Sequence, residues 1–202
     1  MNIFYKTDIN SEKLVLDPDE SAHSIKVLRY RRGDQVRIID GKGGFFVGEI
    51  ENADPKACEV KIISKMDNYE KLPYDLHIGI APTKKLDRFE WFVEKATEIG
   101  VSSITPLFCQ RSERRNISTD RIERVAIAAM KQSVKAYLPR ICTPATYTNW
   151  IEKRPHGSKF IAHCMDGAKK DIRTVELSDS ITILIGPEGD FTSGEVMLAI
   201  QN

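Results

Sequence analysis

The run from Ile181 to Glu195 constrains the fold most, because it combines a buried strand, a sharp loop and a helix start. The residues from Ile181 to Ile185 are β-branched or aliphatic and uncharged, a pattern typical of a parallel strand that is covered on both faces. Gly186-Pro187-Glu188-Gly189 ends this strand. Thr192 and Glu195 have the spacing of a capping box, which predicts a helix that starts at Thr192.

The loop from Gly186 to Gly189 is a candidate ligand site, because open α/β sheets bind ligands at the carboxyl ends of their strands. Most turns of this kind bind nothing, so a purely structural turn stays open at this point. The loop has neither a Gly-Lys-Ser/Thr nor a G-x-G-x-x-G motif, and Pro187 removes one amide donor. These features argue against a phosphate loop and favour a neutral ligand that is held by backbone amides and carbonyls.

The composition is that of an ordinary soluble globular protein of one or two domains. The 202 residues are 41% hydrophobic and 29% charged, with neither an apolar stretch of membrane-spanning length nor a signal peptide. The cysteines are far apart and form no C-x-x-C pair, and the histidines form no H-E-x-x-H motif. We therefore expect free thiols, a cytoplasmic location and no metal site.

Basic residues are clustered, although the net charge of +1 neither indicates nor excludes a nucleic-acid partner. Any single cluster is more often plain solvated surface, but three clusters together favour one positive face for a phosphate backbone. The clusters are Lys26, Arg29, Arg31 and Arg32; Lys84, Lys85 and Arg88; and Arg111, Arg114 and Arg115.

The order of predicted strands and helices divides the chain into two parts. Residues 1–67 read mostly as short strands with one helix, in which Asp17 is the expected cap and Pro18 the first helical residue. This pattern predicts a small β-barrel. Residues 68–73 are polar, end in proline and read as a linker. Strands and helices then alternate through 74–202, which predicts a parallel, doubly covered α/β sheet. The predicted strands here are 76–81, 104–109, 159–164 and 181–185. One predicted helix covers 84–99 and is ended by Gly100, and another starts at Asp120.

Several segments, in order along nearly the whole chain, carry a family resemblance. They are His23 to Asp34 with Asp40-Gly41, Lys84 with Glu94 to Val101, Ile104 to Ser112, Lys131 to Ser133 with Pro139, and Ile185 to Gly189. Together they resemble the RsmE-type 16S ribosomal RNA uridine-N3 methyltransferases of the SPOUT superfamily.

The resemblance implies a PUA-like RNA-binding barrel followed by a SPOUT α/β methyltransferase domain with a trefoil knot. It further implies S-adenosylmethionine as cofactor, 16S ribosomal RNA or the small ribosomal subunit as partner, and a homodimer. Two of the loops that form the cofactor pocket in relatives map here onto His163, Cys164, Ile185, Gly186, Pro187, Glu188 and Gly189. The basic clusters place the expected RNA contacts at Lys26, Arg29, Arg31, Arg32, Lys84, Arg111 and Arg114.

Two positions depart from the family pattern. The third pocket loop of relatives has no counterpart before Asn202, so we expect the methyltransferase domain to be truncated, the knot to be incomplete and the cofactor to bind poorly to this stretch alone. Asp190 stands where relatives often have a second glycine. Since aspartate tolerates a left-handed backbone better than most residues, we expect the loop shape to be retained.

The implied chemistry suggests roles for two side chains. The planar fork of Arg111 suits a phosphate or uracil oxygen, and Glu188 could orient the cofactor or accept a proton. A surface arginine and a turn carboxylate are the plainer alternatives, and no general base is assigned. Two other functions stay open: a SPOUT enzyme that acts on another nucleotide, such as a transfer RNA ribose, and a non-catalytic RNA-binding protein.

Overall fold

A computed structural model describes residues 3–153, 156–167 and 169–202, which divide into two compact units. The first unit contains Met1–Lys71 and Ile127–Leu138, and the second contains Leu72–Ala126 and Pro139–Asn202. The sequence-based division into 1–67, a linker over 68–73, and 74–202 stays a prediction about domains. The structure adds that a segment from the middle of the chain belongs to the first unit.

The first unit is built on a curled five-stranded sheet. Its strands are β1 (Ile3–Tyr5), β2 (Lys13–Val15), β3 (Gln35–Ile39), β4 (Phe45–Asn52) and β5 (Glu59–Met66). They are ordered β1-β3-β4-β5-β2, so within the described residues β1 and β2 stand at opposite edges and the sheet is an open half-barrel. Its apolar side closes over Phe4, Ile38 and Val60, which are completely buried.

Helix α1 (Pro18–Ala22) starts at the predicted place and continues as a π-helical turn over His23–Val27. Pro18 occupies the first turn, as predicted. The expectation that Asp17 caps the helix with its side chain is wrong, because that carboxylate accepts a hydrogen bond from Lys6 at 2.5 Å instead. Ser21 fastens the helix to the sheet: its hydroxyl donates to the Leu16 carbonyl at 3.0 Å and accepts from the Cys58 amide at 3.0 Å.

The second unit is a parallel sheet, as the alternation of strands and helices predicted. Five strands follow the order β10-β11-β6-β7-β8, and a short β9 pairs with the far end of β7. Residues Ser103 to Leu107 of β7 are all buried, so both faces of the sheet are covered there. The strands are β6 (Asp75–Ile80), β7 (Ser103–Phe108), β8 (Arg140–Ile141), β9 (Ala145–Thr146), β10 (Ser158–Ala162) and β11 (Ser180–Ile185).

The described part of the chain contains four further α-helices: α2 (Leu86–Ile99), α3 (Thr119–Gln132), α4 (Tyr147–Ile151) and α5 (Ser193–Gln201). In α2 the buried residues Phe89, Val93 and Ala96 recur at helical spacing. Gly100 ends the helix, as predicted, and the structure shows that it does so in a left-handed conformation. No helix among the described residues is both long and apolar enough to cross a membrane.

The segment Ile127–Leu138, which includes the end of α3, packs in the core of the first unit. Met130 and Ala136 are buried there with Ile39 and Phe45. The backbone continues the contact, because the Gly43 amide donates to the Ala136 carbonyl at 2.9 Å. Lys131 also forms an ion pair with Glu20.

Gly157 lies directly before β10, and its backbone passes close to the first residue of β11. Its φ is +87°, and a Cβ atom there would collide with the backbone carbonyl oxygen of Ser180. We expect Gly157→Ala to lower the free energy of unfolding by about 1–3 kcal/mol more than Gly33→Ala, because both incur the left-handed strain and only the first is also overpacked. Gly33 is the matched control, with a φ of +91° and no atom within 4 Å of the added carbon. Urea unfolding measures both variants, and equal losses would contradict the close approach.

Candidate functional site

The loop after β11 forms a tight turn at the carboxyl edge of the sheet. The Asp190 amide donates to the Pro187 carbonyl at 2.9 Å. Asp190 has a φ of +59°, so the predicted left-handed conformation is confirmed. A side chain at Gly186 would press on the Phe191 ring, since its Cβ would lie 3.1 Å from two ring carbons. Pro187 is buried, whereas Glu188 and Gly189 are exposed at the tip of the turn.

Helix α5 begins directly after this turn with the predicted capping box. The Thr192 hydroxyl accepts a hydrogen bond from the Glu195 amide, and the Glu195 carboxylate accepts one from the Thr192 amide at 2.8 Å. The other carboxylate oxygen of Glu195 accepts from the Gln110 amide at 2.8 Å. Glu195 therefore joins the start of α5 to the loop that follows β7, a role for which the capping-box spacing gives no signal.

Arg111, which lies in that loop after β7, contacts the turn directly. Its Nη1 donates to the Gly189 carbonyl at 2.8 Å. The approach is close, because a Cβ atom on Gly189 would lie 3.4 Å from the Arg111 Cβ. The structure thus brings together two of the predicted site residues that are far apart in sequence.

The loop after β6 reaches the same turn through Glu188. The Lys84 amide donates to Glu188 Oε1 at 2.9 Å. Arg114 holds this loop from the other side: its Nε and Nη2 donate to the Thr83 and Lys84 carbonyls at 3.0 and 2.7 Å. Lys84 and Arg114 therefore lie near Glu188 and Arg111, and the guanidinium of Arg114 is already engaged in shaping the loop.

The loop after β10 is joined to the turn by Asp190. The Cys164 amide donates to Asp190 Oδ2 at 2.8 Å, and the Phe191 amide donates to Oδ1 at 2.7 Å. The neighbouring His163 has a buried Nδ1 without a hydrogen-bond partner among the described residues. Loops that follow four strands, β6, β7, β10 and β11, thus meet at one edge of the sheet.

Both carboxylates of the turn are held in the ionised form. The pKa of Glu188 is lowered by hydrogen bonds from its own backbone amide and from that of Lys84. The pKa of Asp190 is lowered mainly by the hydrogen bond from the Cys164 amide, with a further contribution from the Phe191 amide. At neutral pH the edge therefore presents fixed negative charges beside the Arg111 guanidinium.

The basic residues predicted in the first unit lie at the end of the π-helical turn, which contains Lys26, and on the loop that follows it, which contains Arg29, Arg31 and Arg32. Lys26, Arg29, Arg31 and Arg32 are all exposed. Arg29 has a left-handed backbone with a φ of +59°. The loop is closed by a turn in which the Arg31 amide donates to Asp34 Oδ2 at 2.7 Å. The structure thus gathers these four cations on one segment of the first unit, and their contacts with RNA stay predictions.

Comparisons with known proteins bear directly on these two units. Residues 16–63 match the family model described as the RNA methyltransferase PUA domain, and residues 70–202 match the RNA methyltransferase domain. The crystal structure of a probable rRNA-methyltransferase from Porphyromonas gingivalis is 38% identical, with a TM-score of 0.90 over all of this chain and 86% of that one. This chain belongs to the RNA methyltransferase family.

Other relatives agree with this family assignment and with the fold. Ribosomal RNA small subunit methyltransferase E of Rickettsia conorii is 26% identical over 93% of this chain and 78% of its own. The enzyme of that name from Neisseria gonorrhoeae, solved bound to S-adenosyl methionine, is 24% identical with a TM-score of 0.86, and the match covers all of this chain and 86% of that one. The predicted architecture, a PUA-like half-barrel followed by a SPOUT-type α/β methyltransferase domain, is confirmed, while the knot stays a prediction.

Proposed function

We propose that this RNA methyltransferase uses S-adenosylmethionine to methylate the N3 of a uridine in 16S ribosomal RNA. The observation that carries the proposal is the meeting of four strand-end loops around Glu188 and Asp190, in a chain that belongs to this family. The names of the relatives support ribosomal RNA of the small subunit as the substrate class.

The edge of the sheet suits such a cofactor in charge and in the backbone that it offers. The cofactor would be held by backbone groups of two loops, His163 with Cys164 and Ile185 to Gly189. In the second loop a side chain at position 186 would crowd the Phe191 ring, and glycine avoids this. S-adenosylmethionine supplies an electrophilic methyl group on a positively charged sulfonium. The ionised carboxylates of Glu188 and Asp190 suit that positive charge.

Arg111 is the proposed clamp for the target base. A guanidinium has several N–H donors, and Arg111 uses Nη1 on the Gly189 carbonyl. Its remaining donors can reach a uracil or phosphate oxygen. The negative charge that develops on uracil when N3 loses its proton would be stabilised by this fixed cation.

Glu188 is better suited to orient the site than to accept a proton. An efficient general base has a pKa near the working pH, whereas hydrogen bonds from the Glu188 and Lys84 amides lower the pKa of this carboxyl. Its role would be to hold the loop after β6 against the turn. The general base remains unassigned.

The domain organisation follows from the same proposal. Residues 1–67 would form the RNA-binding PUA-like domain, 68–73 the linker and 74–202 the methyltransferase domain. Lys26, Arg29, Arg31, Arg32, Lys84, Arg111 and Arg114 would contact RNA. An enzyme of ribosomal RNA works where that RNA is, and we therefore propose a cytoplasmic location.

The direct test is methylation in vitro by the full-length protein. We expect incubation with small subunits that lack the modification, together with S-adenosylmethionine, to yield N3-methyluridine when digested 16S RNA is analysed by mass spectrometry. Glu188→Gln keeps an oxygen for the Lys84 amide, so an orienting role predicts a rate within about tenfold of the unaltered enzyme, whereas loss of a general base costs roughly 10²–10⁴-fold.

The outcome also separates the competing functions. Methylation at another atom or in another RNA would replace the uridine-N3 assignment with a different substrate of the same family. RNA binding without any methyl transfer would indicate a non-catalytic RNA-binding protein. Either result would contradict the proposal.

The basic residues can be tested through the salt dependence of RNA affinity. We expect a variant with Arg29, Arg31, Arg32 and Arg111 all changed to Ala to bind RNA more weakly. Each lost phosphate contact should flatten the slope of log K against log salt by roughly 0.7–0.9. A matched control removes four other exposed cations, Lys56, Lys61, Lys71 and Arg173. If both variants show the same slope, the predicted contacts are wrong.

We also propose that the protein is a homodimer. Helix α2 leaves Trp91 and Ile99 62% and 66% exposed, an unusual position for large apolar side chains at the centre and end of a helix. We expect light scattering at micromolar concentration to give the dimer mass for the full-length protein, and Trp91→Glu to shift it toward the monomer. A monomer mass for the unaltered protein would contradict the proposal.

A further inference from the structure

Asp190 links two loops that the fold brings to the same edge but does not itself connect. Its carboxylate accepts from the Cys164 amide through Oδ2 at 2.8 Å and from the Phe191 amide through Oδ1 at 2.7 Å. One oxygen therefore serves the loop after β10, and the other serves the turn after β11. A single side chain holds both segments.

The backbone of the turn does not need this side chain. Asp190 has a φ of +59°, a conformation that glycine adopts without cost. Glycine at this position would keep the turn and remove the carboxylate. The aspartate adds an acceptor for the Phe191 amide within the turn and the link to Cys164 in the other loop.

The loop after β10 needs such a link more than the other loops do. β10 stands at one end of the strand order among the described residues, so its backbone pairs with β11 alone. Its residues are only partly buried or exposed, and Cys164 itself is exposed. An edge segment with few buried contacts opens easily unless it is tethered.

We propose that Asp190 is a positioning residue that holds the loop after β10 against the turn after β11 before the methyl donor binds. The inference rests on the proposed function, because it assigns these two loops to the cofactor pocket. Its new element is that this chain orders the pocket in advance through one carboxylate.

Pre-ordering has a defined consequence for affinity. A loop that is already fixed loses little conformational entropy when a ligand binds, so the ligand binds more tightly. The link also persists at neutral pH, because the hydrogen bond from the Cys164 amide lowers the pKa of Asp190. The Arg111 guanidinium contributes positive charge toward this carboxylate, and Glu188 lies in the same turn.

Two substitutions separate the link from the conformation of the turn. Asp190→Gly keeps the left-handed backbone without strain and removes both acceptor oxygens. Asp190→Asn also tolerates this backbone and keeps one oxygen for the Cys164 amide. Asp166→Asn is the matched control, since it removes an exposed carboxylate from the same stretch after β10.

The experiment combines two measurements on the full-length protein. Hydrogen exchange at the Cys164 amide without cofactor reports on the link, and calorimetric titration with S-adenosylmethionine reports on affinity. For Asp190→Gly we expect faster exchange at Cys164 and roughly tenfold weaker binding, the effect of losing a hydrogen bond to a charged group, with a Tm lowered by no more than about 5 °C. Asp190→Asn should fall between this variant and the unaltered protein, and Asp166→Asn should match the unaltered protein.

The outcomes distinguish this inference from the proposed function. Equal exchange and equal affinity in Asp190→Gly and the unaltered protein would overturn the inference alone. A loss of affinity that is accompanied by a fall in Tm of about 10 °C or more would also overturn it, because a general structural defect would then be the cause. Failure of the unaltered full-length protein to bind S-adenosylmethionine would overturn both the inference and the proposed cofactor.

Discussion

The parallel pairing of β11 with both of its neighbours determines the rest of the site. Each residue from Ser180 to Ile185 has a partner on β6, and those from Ile181 onward also have one on β10. Because the three strands run in the same direction, their carboxyl ends arrive at one edge. The Ala81 amide extends the pairing by donating to the Ile185 carbonyl at 3.0 Å. The loops that follow must therefore share the same small region.

Side chains supply the hydrogen bonds that the backbone of these crowded loops needs. Loop backbone cannot continue the sheet pairing, and its polar groups need partners when they are removed from water. Here Glu188, Asp190 and Glu195 accept from amides of other loops, and Arg111 donates to a carbonyl. The carboxylates are thus committed to backbone donors, and those of Glu188 and Asp190 stay ionised because these hydrogen bonds lower their pKa. A site of this kind offers positioning and fixed charge, which suits transfer of a methyl group from a cationic donor to an anionic base.

Local signals in the sequence were sufficient for most of the fold. The uncharged β-branched run from Ile181, the Thr192–Glu195 spacing and Gly100 after α2 each depend on neighbouring residues, and each appears where it was predicted. The left-handed backbone of Asp190 belongs to the same class. The side-chain role of Asp17 was predicted incorrectly because a cap competes with a distant cation, Lys6, that the local pattern does not reveal.

Contacts between residues that are far apart in the chain could not be predicted from the sequence. The periodicity of α3 shows which face is apolar, but it does not show that Met130 would pack with Ile39 and Phe45 of the first unit. Glu188 and the Lys84 amide are likewise 104 positions apart. Only the paired strands bring such groups together, so the site residues could be proposed from family motifs but not their contacts.

Several hydrogen bonds join the loops at this edge, and each one contributes little stability by itself. A hydrogen bond to a charged group contributes about 1.5–3 kcal/mol in favourable settings and less where water competes. Glu188 and Arg111 are exposed, and Asp190 is half-buried, so each link alone is modest. Together they hold four loops in register, yet any one can break without unfolding the buried strands beneath. The edge can therefore be ordered before a ligand arrives and still adjust locally when the ligand and its RNA target bind.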